Sequence, residues 1–492
     1  MPTNTASPAA TCTQRILGEN GSHPLRSPNP RISATTSPRR ISIFGHRTLI
    51  VIASPYQVSP GPPSRLQSRI CYHKRLLPAR GGLALGPERL FDRVQSTKTW
   101  EVRAPLGHWT SERSGKGVDG PQQEQGGYRP GLEGVIAVET AISYLDVEHE
   151  SIIIRGYDLI DLAKRFPYPD VAYLILHGSL PDADASKTFQ QALAASYAVD
   201  VSVRRVLEAL PARLHLMDAL RTAVSAMAAG DPDLSDLSEA ANYRRALTII
   251  GGVSTVVANS YRIKAGLGWR DPNPSLGYAR NFLELIVDRA ATPLEVRAFD
   301  QLLVAYSEHE LPNSTFAARV IASTLSDMYG AMVGAVASLK GPLHGGANEA
   351  VMHMLLEVRD PAQMERYLLD KLARRERIMG FGHRVYMKKP DPRALLMKAL
   401  LAELVPVKGA QWLYDLCEVG EQVMQREKGL YPNLDYYAAP VYYLLDIPIE
   451  LYTPIFFAAR TVGLAAHVIE QQAKNRLFRP RVRYLGPRGL TP

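Results

Sequence analysis

From residue 159 onward the chain repeats one theme: apolar side chains spaced three and four apart, in runs closed by glycine or proline. Leu159, Leu162, Ala163 and Phe166 share one helical face; Val171, Leu174 and Ile175 share the next, which Gly178 ends. Further breaks fall at Pro181, Gly230–Pro232, Gly266–Pro274, Pro293, Pro312, Gly341–Pro342, Pro361, Gly380–Gly382, Pro390–Pro392, Gly429–Pro432 and Pro448–Pro454. Each marks the end of an amphipathic helix. Residues 131–158 differ. Short β-branched runs alternate there with turn residues, and Ile152–Arg155 is the best strand. No second strand-rich block and no repeat period follows. The pattern predicts a mostly α fold with a short strand region at its start. One helix stands apart: residues 328–339 (MYGAMVGAVASL) are small or apolar on nearly every face. Gly330, Gly334 and Ala337 would admit another helix closely, which predicts a dimer-interface helix.

The first 125 residues break the theme. Pro, Ser, Arg and Gly dominate, and apolar periodicity is lost. Residues 1–120 carry 17 Lys and Arg against 6 Asp and Glu. The chain's net charge of +9 therefore belongs to this stretch, and the remainder is slightly acidic. The basic balance gives the folded part no reason to bind nucleic acid. Three readings of the stretch stand open: a disordered basic extension, an organelle import signal, or residues foreign to the natural protein. The first and third are favoured, because the segment is long and has no clear amphipathic helix; an import signal would move the protein from cytoplasm to mitochondrion. The cysteines, Cys12, Cys71 and Cys417, form no C-x-x-C pair, so neither a disulfide framework nor a zinc site is indicated. The longest apolar runs fall short of the roughly 18 residues of a membrane span.

The chemistry-bearing residues collect in the second half. His344 sits in GPLHGGANE (341–349), between a proline turn and the helical run from Ala347. That spacing predicts its ring at a helix N-terminus, where protonation is disfavoured and a neutral imidazole can donate a hydrogen bond. His309 precedes the Pro312–Ser314 break. GFGHRVYMKKPDPRA (380–394) brings His383 after a glycine turn and Arg393 into a proline-flanked loop. Asp435 lies among aromatics in NLDYYAAP (433–440), where burial would raise its pKa and make it a useful base. Arg460, amid Phe457, Ala458 and Ala459, needs a buried anionic partner. Arg476, Arg479, Arg481 and Arg483 end the chain. Each has a plainer reading: a packed histidine such as His309 or His353, a capping Asp435, a solvated tail. No P-loop, dinucleotide fingerprint, nucleophile elbow or metal-ligand spacing appears. Neutral histidines, one shielded carboxylate and several arginines suit a small polyanion and proton transfer at carbon.

Taken together and in order, GPLHGGANE, GFGHRVY…DPRA, NLDYYAAP, ART-GLAAHVIEQ and NRLFRPR resemble the citrate synthase family, in its bacterial-type citrate and 2-methylcitrate synthase branch. RGYD (155–158) and LPNSTFAAR (311–319) belong to the same resemblance, which runs from about Tyr128 to Pro487. It implies a two-domain helical fold: a large domain of residues 126–340 and 445–492, a small domain of residues 341–444, and an active-site cleft between them. It implies a homodimer that condenses acetyl-CoA or propionyl-CoA with oxaloacetate, with no cofactor, no metal and no membrane partner, in the cytoplasm. Asp435 would be the base, His344 the donor to the enolate oxygen, and His383 the group acting on the oxaloacetate carbonyl. His309, Arg393 and Arg460 would bind oxaloacetate, with Arg479 reaching across from the other subunit. Arg377, Ile378, Met379, Gly380 and Phe381 would meet CoA. Two details depart from the commoner pattern. Met387-Lys388-Lys389-Pro390 makes the loop from His383 to Arg393 one residue longer, which tilts toward propionyl-CoA, and Leu216 replaces a usual proline. The alternative of another class is a catalytically silent CoA-binding or scaffold dimer, which would lack the acid–base residues.

Overall fold

The computed structural model describes residues 127–383 and 389–492. The readings of residues 1–125, and of Met387 and Lys388 in the longer loop, lie outside the described residues. The strand region is a three-stranded antiparallel sheet, β1 (Ser143–Asp146), β2 (Ser151–Ile154) and β3 (Tyr157–Asp158), in that order, with Ser143 opposite Ile154. Alternation of β-branched residues buries Ile152 and Ile154 on one face. Arg155 falls just past the strand, in a turn with φ of 50°.

Helices follow, with interruptions at 196–200, 210–215, 323–327 and 409–410 in addition to the breaks expected from Gly and Pro. They are α1 (Leu159–Arg165), α2 (Tyr168–His177), α3 (Ala183–Ala195), α4 (Val201–Ala209), α5 (Leu216–Met227), α6 (Glu239–Lys264), α7 (Tyr278–Val287) and α8 (Pro293–Ser307). Then come α9 (Asn313–Ala322), α10 (Met328–Leu339), α11 (Ala347–Val358), α12 (Pro361–Ala373), α13 (Pro392–Lys408), α14 (Gln411–Lys428), α15 (Leu434–Leu444) and α16 (Tyr452–Ala473). Their ends obey local chemistry. Asp158 caps α1, and Gly178 ends α2 in the left-handed region. Thr292 and Glu295 form a reciprocal capping box on α8, with Pro293 in its first turn.

Helix α16 is the axis of the core. It packs against α6, α8, α9, α10 and α2, which its small residues Ala458, Ala459, Gly463, Ala465 and Ala466 permit. A methyl group on Gly463 would overlap the Ser307 carbonyl and the Glu308 carboxylate, so the end of α8 can lie against α16 only at a glycine. The helix Ile449–Ala473 is the one among the described residues long and apolar enough to cross a membrane, but 94 % of its apolar window is buried inside the protein. Its apolarity thus serves the core. Helices α11 to α15 pack chiefly on one another. Helix α10 packs on α9, α5 and α16, and the open side of Gly334 meets Ile321 of α9 in the same chain. That glycine admits the Ile321 side chain of α9 within the chain.

Candidate active site

The starts of α9, α11, α13 and α15 and one glycine turn converge on a cavity of about 1050 Å³. His309, His344, His383, Arg393, Asp435 and Arg460 all line it. So do Arg377, Ile378, Met379, Gly380 and Phe381. Arg479 lies elsewhere, exposed in the extended C-terminal segment, its Nη1 donating to the Pro480 carbonyl. His353 is exposed on α11 and takes no part.

The helix that fixes His344 is α9, not the α11 that follows it in sequence. Helix α9 starts after Pro312, which has no side-chain acceptor to cap it. His344 fills that place: its Nε2 accepts the Ser314 backbone N–H at 3.2 Å, with the Ser314 hydroxyl at 2.9 Å. An amide N–H can only donate, so Nε2 is the acceptor and the ring proton is on Nδ1. Burial, and then the charge of Arg460, push the His344 pKa down to about 4. The ring is therefore a neutral Nδ1–H donor at physiological pH.

Asp435 is in the first turn of α15, where Asn433 is the N-cap. Burial raises its carboxyl to about 6, against opposing effects of Tyr306, Arg393 and Arg460. The Tyr306 hydroxyl, from α8, donates to Asp435 Oδ1 at 2.6 Å. Asp435 is thus not the cap that the plainer reading made it.

The turn Gly380–His383 is pinned to the segment before α15. Gly382 N–H donates to the Tyr431 carbonyl, Asn433 N–H to the Gly380 carbonyl, and the Asn433 side chain to the Gly382 carbonyl. Gly380 has φ of 88°, and a methyl group there would come within 2.6 Å of Val351 and 2.9 Å of Tyr436. Only glycine fits. His383 meets His309 edge to face, with ring centroids 5.1 Å apart. Burial and then Arg393 lower His383 to about 4, and burial holds His309 well below the usual histidine range. Both are neutral.

Arg393 grips Asp391 through two bonds, Nε to Oδ1 at 3.0 Å and Nη2 to Oδ2 at 2.7 Å. Asp391 caps α13 and accepts the Leu434 N–H, so it joins the starts of α13 and α15. Arg460 donates through Nε to the Tyr306 carbonyl at 2.6 Å and lies over the Phe456 ring at 5.0 Å. Its anionic neighbour is Glu308, which is fully buried. Glu308 Oε1 accepts the Ser143 hydroxyl at 2.8 Å and His467 Nε2–H at 3.1 Å. Arg319 donates to His467 Nδ1 and to Glu470, both at 2.7 Å. Charge balance near Arg460 is thus passed outward through a buried relay.

The cavity therefore combines three arginines, Arg377, Arg393 and Arg460, with three neutral histidines and two carboxylates, Asp435 and Glu310. It can hold a small dianion and move a proton at carbon. The chain matches the family model for the citrate synthase C-terminal domain over residues 131–481. The chain belongs to the citrate synthase family. A citrate/2-methylcitrate synthase of Bacillus subtilis is 55 % identical over 369 residues, 75 % of this chain and 99 % of that protein. A 2-methylcitrate synthase of Mycobacterium tuberculosis (strain H37Rv) is 42 % identical, over 78 % of this chain and 98 % of the relative. Among solved structures, the ternary complex of carboxymethyl coenzyme A and oxaloacetate with the Thermoplasma acidophilum citrate synthase has a TM-score of 0.70. It shares 34 % identity and covers 74 % of this chain and 98 % of that one. The mostly helical fold is that of citrate synthases.

Sequence reasoning missed Ser314, Tyr306, Asp391, Glu308 and His467. Ser314, Tyr306, Glu308 and His467 act on the site by tertiary contact, which no local spacing marks, whereas Asp391 bonds Arg393 two residues on and sits at an Asp-Pro helix start. One signal was legible: a proline N-cap without an oxygen leaves α9 in need of an acceptor from elsewhere.

Proposed function

We propose that the protein condenses acetyl-CoA or propionyl-CoA with oxaloacetate and hydrolyses the thioester, giving citrate or 2-methylcitrate and free CoA. One observation carries this reading. A carboxyl that titrates near 6 shares a cavity with a histidine held neutral in a single tautomer.

In this reading Asp435, ionised at neutral pH yet more basic than a free aspartate, removes a proton from the acyl α-carbon. The electron pair moves onto the thioester oxygen, which accepts a hydrogen bond from His344 Nδ1–H. The α-carbon attacks the oxaloacetate carbonyl carbon and forms the new C–C bond. The alkoxide left there is hydrogen-bonded and protonated by His383, and proton exchange through water restores both groups. Water then attacks the thioester carbonyl and CoA leaves as the thiol. His309, Arg393 and Arg460 hold the oxaloacetate carboxylates, and the turn at Arg377–Phe381 holds CoA. No further cofactor is needed, since CoA enters as part of the substrate. The longer loop between His383 and Arg393 favours acceptance of propionyl-CoA. An extra methylene changes binding by only about 1–3 kcal/mol, so both acyl groups are used.

The same reading takes residues 341–444 as the small domain and the flanking segments as the large one; the mutual packing of α11 to α15 supports it. It takes the assembly as a homodimer in which Arg479 completes the other copy's site. Exposed Val482 and Leu485 in the C-terminal segment favour such a cover. A cytoplasmic location accords with the bacterial relatives. A catalytically silent CoA-binding dimer is not favoured, because Asp435, His344 and His383 are all present and share the cavity. The test is CoA thiol release from acetyl-CoA and from propionyl-CoA with oxaloacetate present, comparing kcat/KM. Oxaloacetate-dependent release is expected from both, and none from either refutes the reading.

A further inference from the structure

We infer that Tyr306 is a positioning residue for the base: its hydroxyl holds one oxygen of Asp435 and presents the other to the acyl-CoA α-carbon. The inference rests on the reading of Asp435 as the base.

Tyr306 is the next-to-last residue of α8 and is 1 % exposed. Its ring packs against Phe456, tilted at 4.6 Å, and Tyr442, stacked at 6.4 Å. A ring so held aims its hydroxyl along one line, which ends on Asp435 Oδ1 at 2.6 Å. That is the short end of the range for a hydroxyl on a carboxylate. A carboxylate with one oxygen tethered can turn only about that bond. Its second oxygen is thereby set toward the cavity that Asp435 lines. The main chain of the same residue does a second job: the Tyr306 carbonyl accepts Arg460 Nε at 2.6 Å. Tyr306 thus joins the carboxylate that handles the acyl group to the arginine that would bind oxaloacetate.

The bond also bears on ionisation. The groups facing Asp435 are Tyr306 from α8, Arg393 and Asp391 from the start of α13, Arg460 from α16 and Tyr442 from its own helix. Arg393 and Arg460 favour the anion, and Asp391 opposes it. The Tyr306 hydroxyl donates to the charged form, so it favours the anion as well. Removing it moves the base in one direction, toward a higher pKa.

Tyr306→Phe keeps the ring, its stacking and the carbonyl that Arg460 uses. Its pH profile of kcat/KM for the acyl-CoA is expected to have its acid limb about one pH unit higher than the wild type. kcat on the high-pH plateau is expected to fall about tenfold, while oxaloacetate affinity stays within about twofold. A merely structural role would lower the melting temperature and leave the limb in place. An unmoved limb overturns the inference. Should the variant fold poorly, 3,5-difluorotyrosine placed at position 306 supplies a stronger donor of the same shape. It is expected to move the limb to lower pH, and no movement overturns the inference. Asp435→Asn measured beside them separates the two ideas. Turnover retained in Asp435→Asn defeats the reading of the base itself. Turnover lost there, with the Tyr306→Phe limb unmoved, defeats only the part given to Tyr306.

Discussion

Replacing Asp435 by asparagine should make the protein more stable and nearly inactive, and the stability gain should depend on pH. Burial raises the Asp435 carboxyl from an ordinary 3.8 to about 6. Between these two values the folded chain keeps a proton that the unfolded chain has released. A group of this kind gives stability at low pH that is lost as pH rises through its folded value. Asparagine keeps an acceptor for Tyr306 and has no charge to bury, so it escapes that loss. For two values about two units apart, the loss is about 1.5 kcal/mol at pH 5 and about 3 kcal/mol at pH 8. The stability gap between variant and wild type should therefore widen by about 1.5 kcal/mol per subunit across that interval. Urea unfolding at pH 5 and pH 8, at one fixed protein concentration, measures it. Condensation activity should fall by a factor of about 100 to 10,000, the usual contribution of a general base. A gap that stays constant from pH 5 to pH 8 would refute burial as the origin of the raised pKa, whatever the effect on rate.

His344→Gly removes the Nδ1–H donor and should lower kcat by a factor of about 100 to 1,000, with oxaloacetate binding by calorimetry little changed. Gly380→Ala forces φ of 88° on a residue with a side chain and drives a methyl group into Val351 and Tyr436. It should cost about 2–4 kcal/mol of stability, read as a fall in melting temperature, and weaken CoA binding because the turn must shift. Mixing the inactive variants Asp435→Ala and Arg479→Ala through unfolding and refolding tests the shared site. If Arg479 serves the other copy, half of the sites in each mixed dimer are intact, and about a quarter of wild-type activity should return. No recovery would place Arg479 in its own subunit's site.

The helices were legible because amphipathic spacing and Gly or Pro stops are local signals: α2 ends at the Gly178 stop and α8 begins at Pro293, although α8 ends at Ser307, short of the Pro312 break. The site motifs were legible because helix starts and a glycine turn bring His344, His383 and Asp435 to one cavity. Partners were not. Nothing near residue 306 in sequence announces that its hydroxyl will meet residue 435, and nothing near His344 announces α9. The notion that His344 lies at a helix N-terminus was right in kind and wrong in helix, since proximity in sequence favoured α11 while the cap of α9 lacked an acceptor. The need for an anion near Arg460 followed from burial alone, but its identity, Glu308, depends on how α8 ends against α16.

The bond from the Ser314 amide to His344 has a consequence for anyone who would move this chemistry to another scaffold. The Ser314 hydroxyl also touches Nε2, at 2.9 Å, but the group that sets the tautomer is main chain, so a side-chain change at residue 314 leaves that donor in place and only proline, which has no N–H, would remove it. Side-chain grafting alone therefore carries over the histidine without the instruction that tells its proton where to sit. A transplanted site has to bring the first turn of a helix along with the ring.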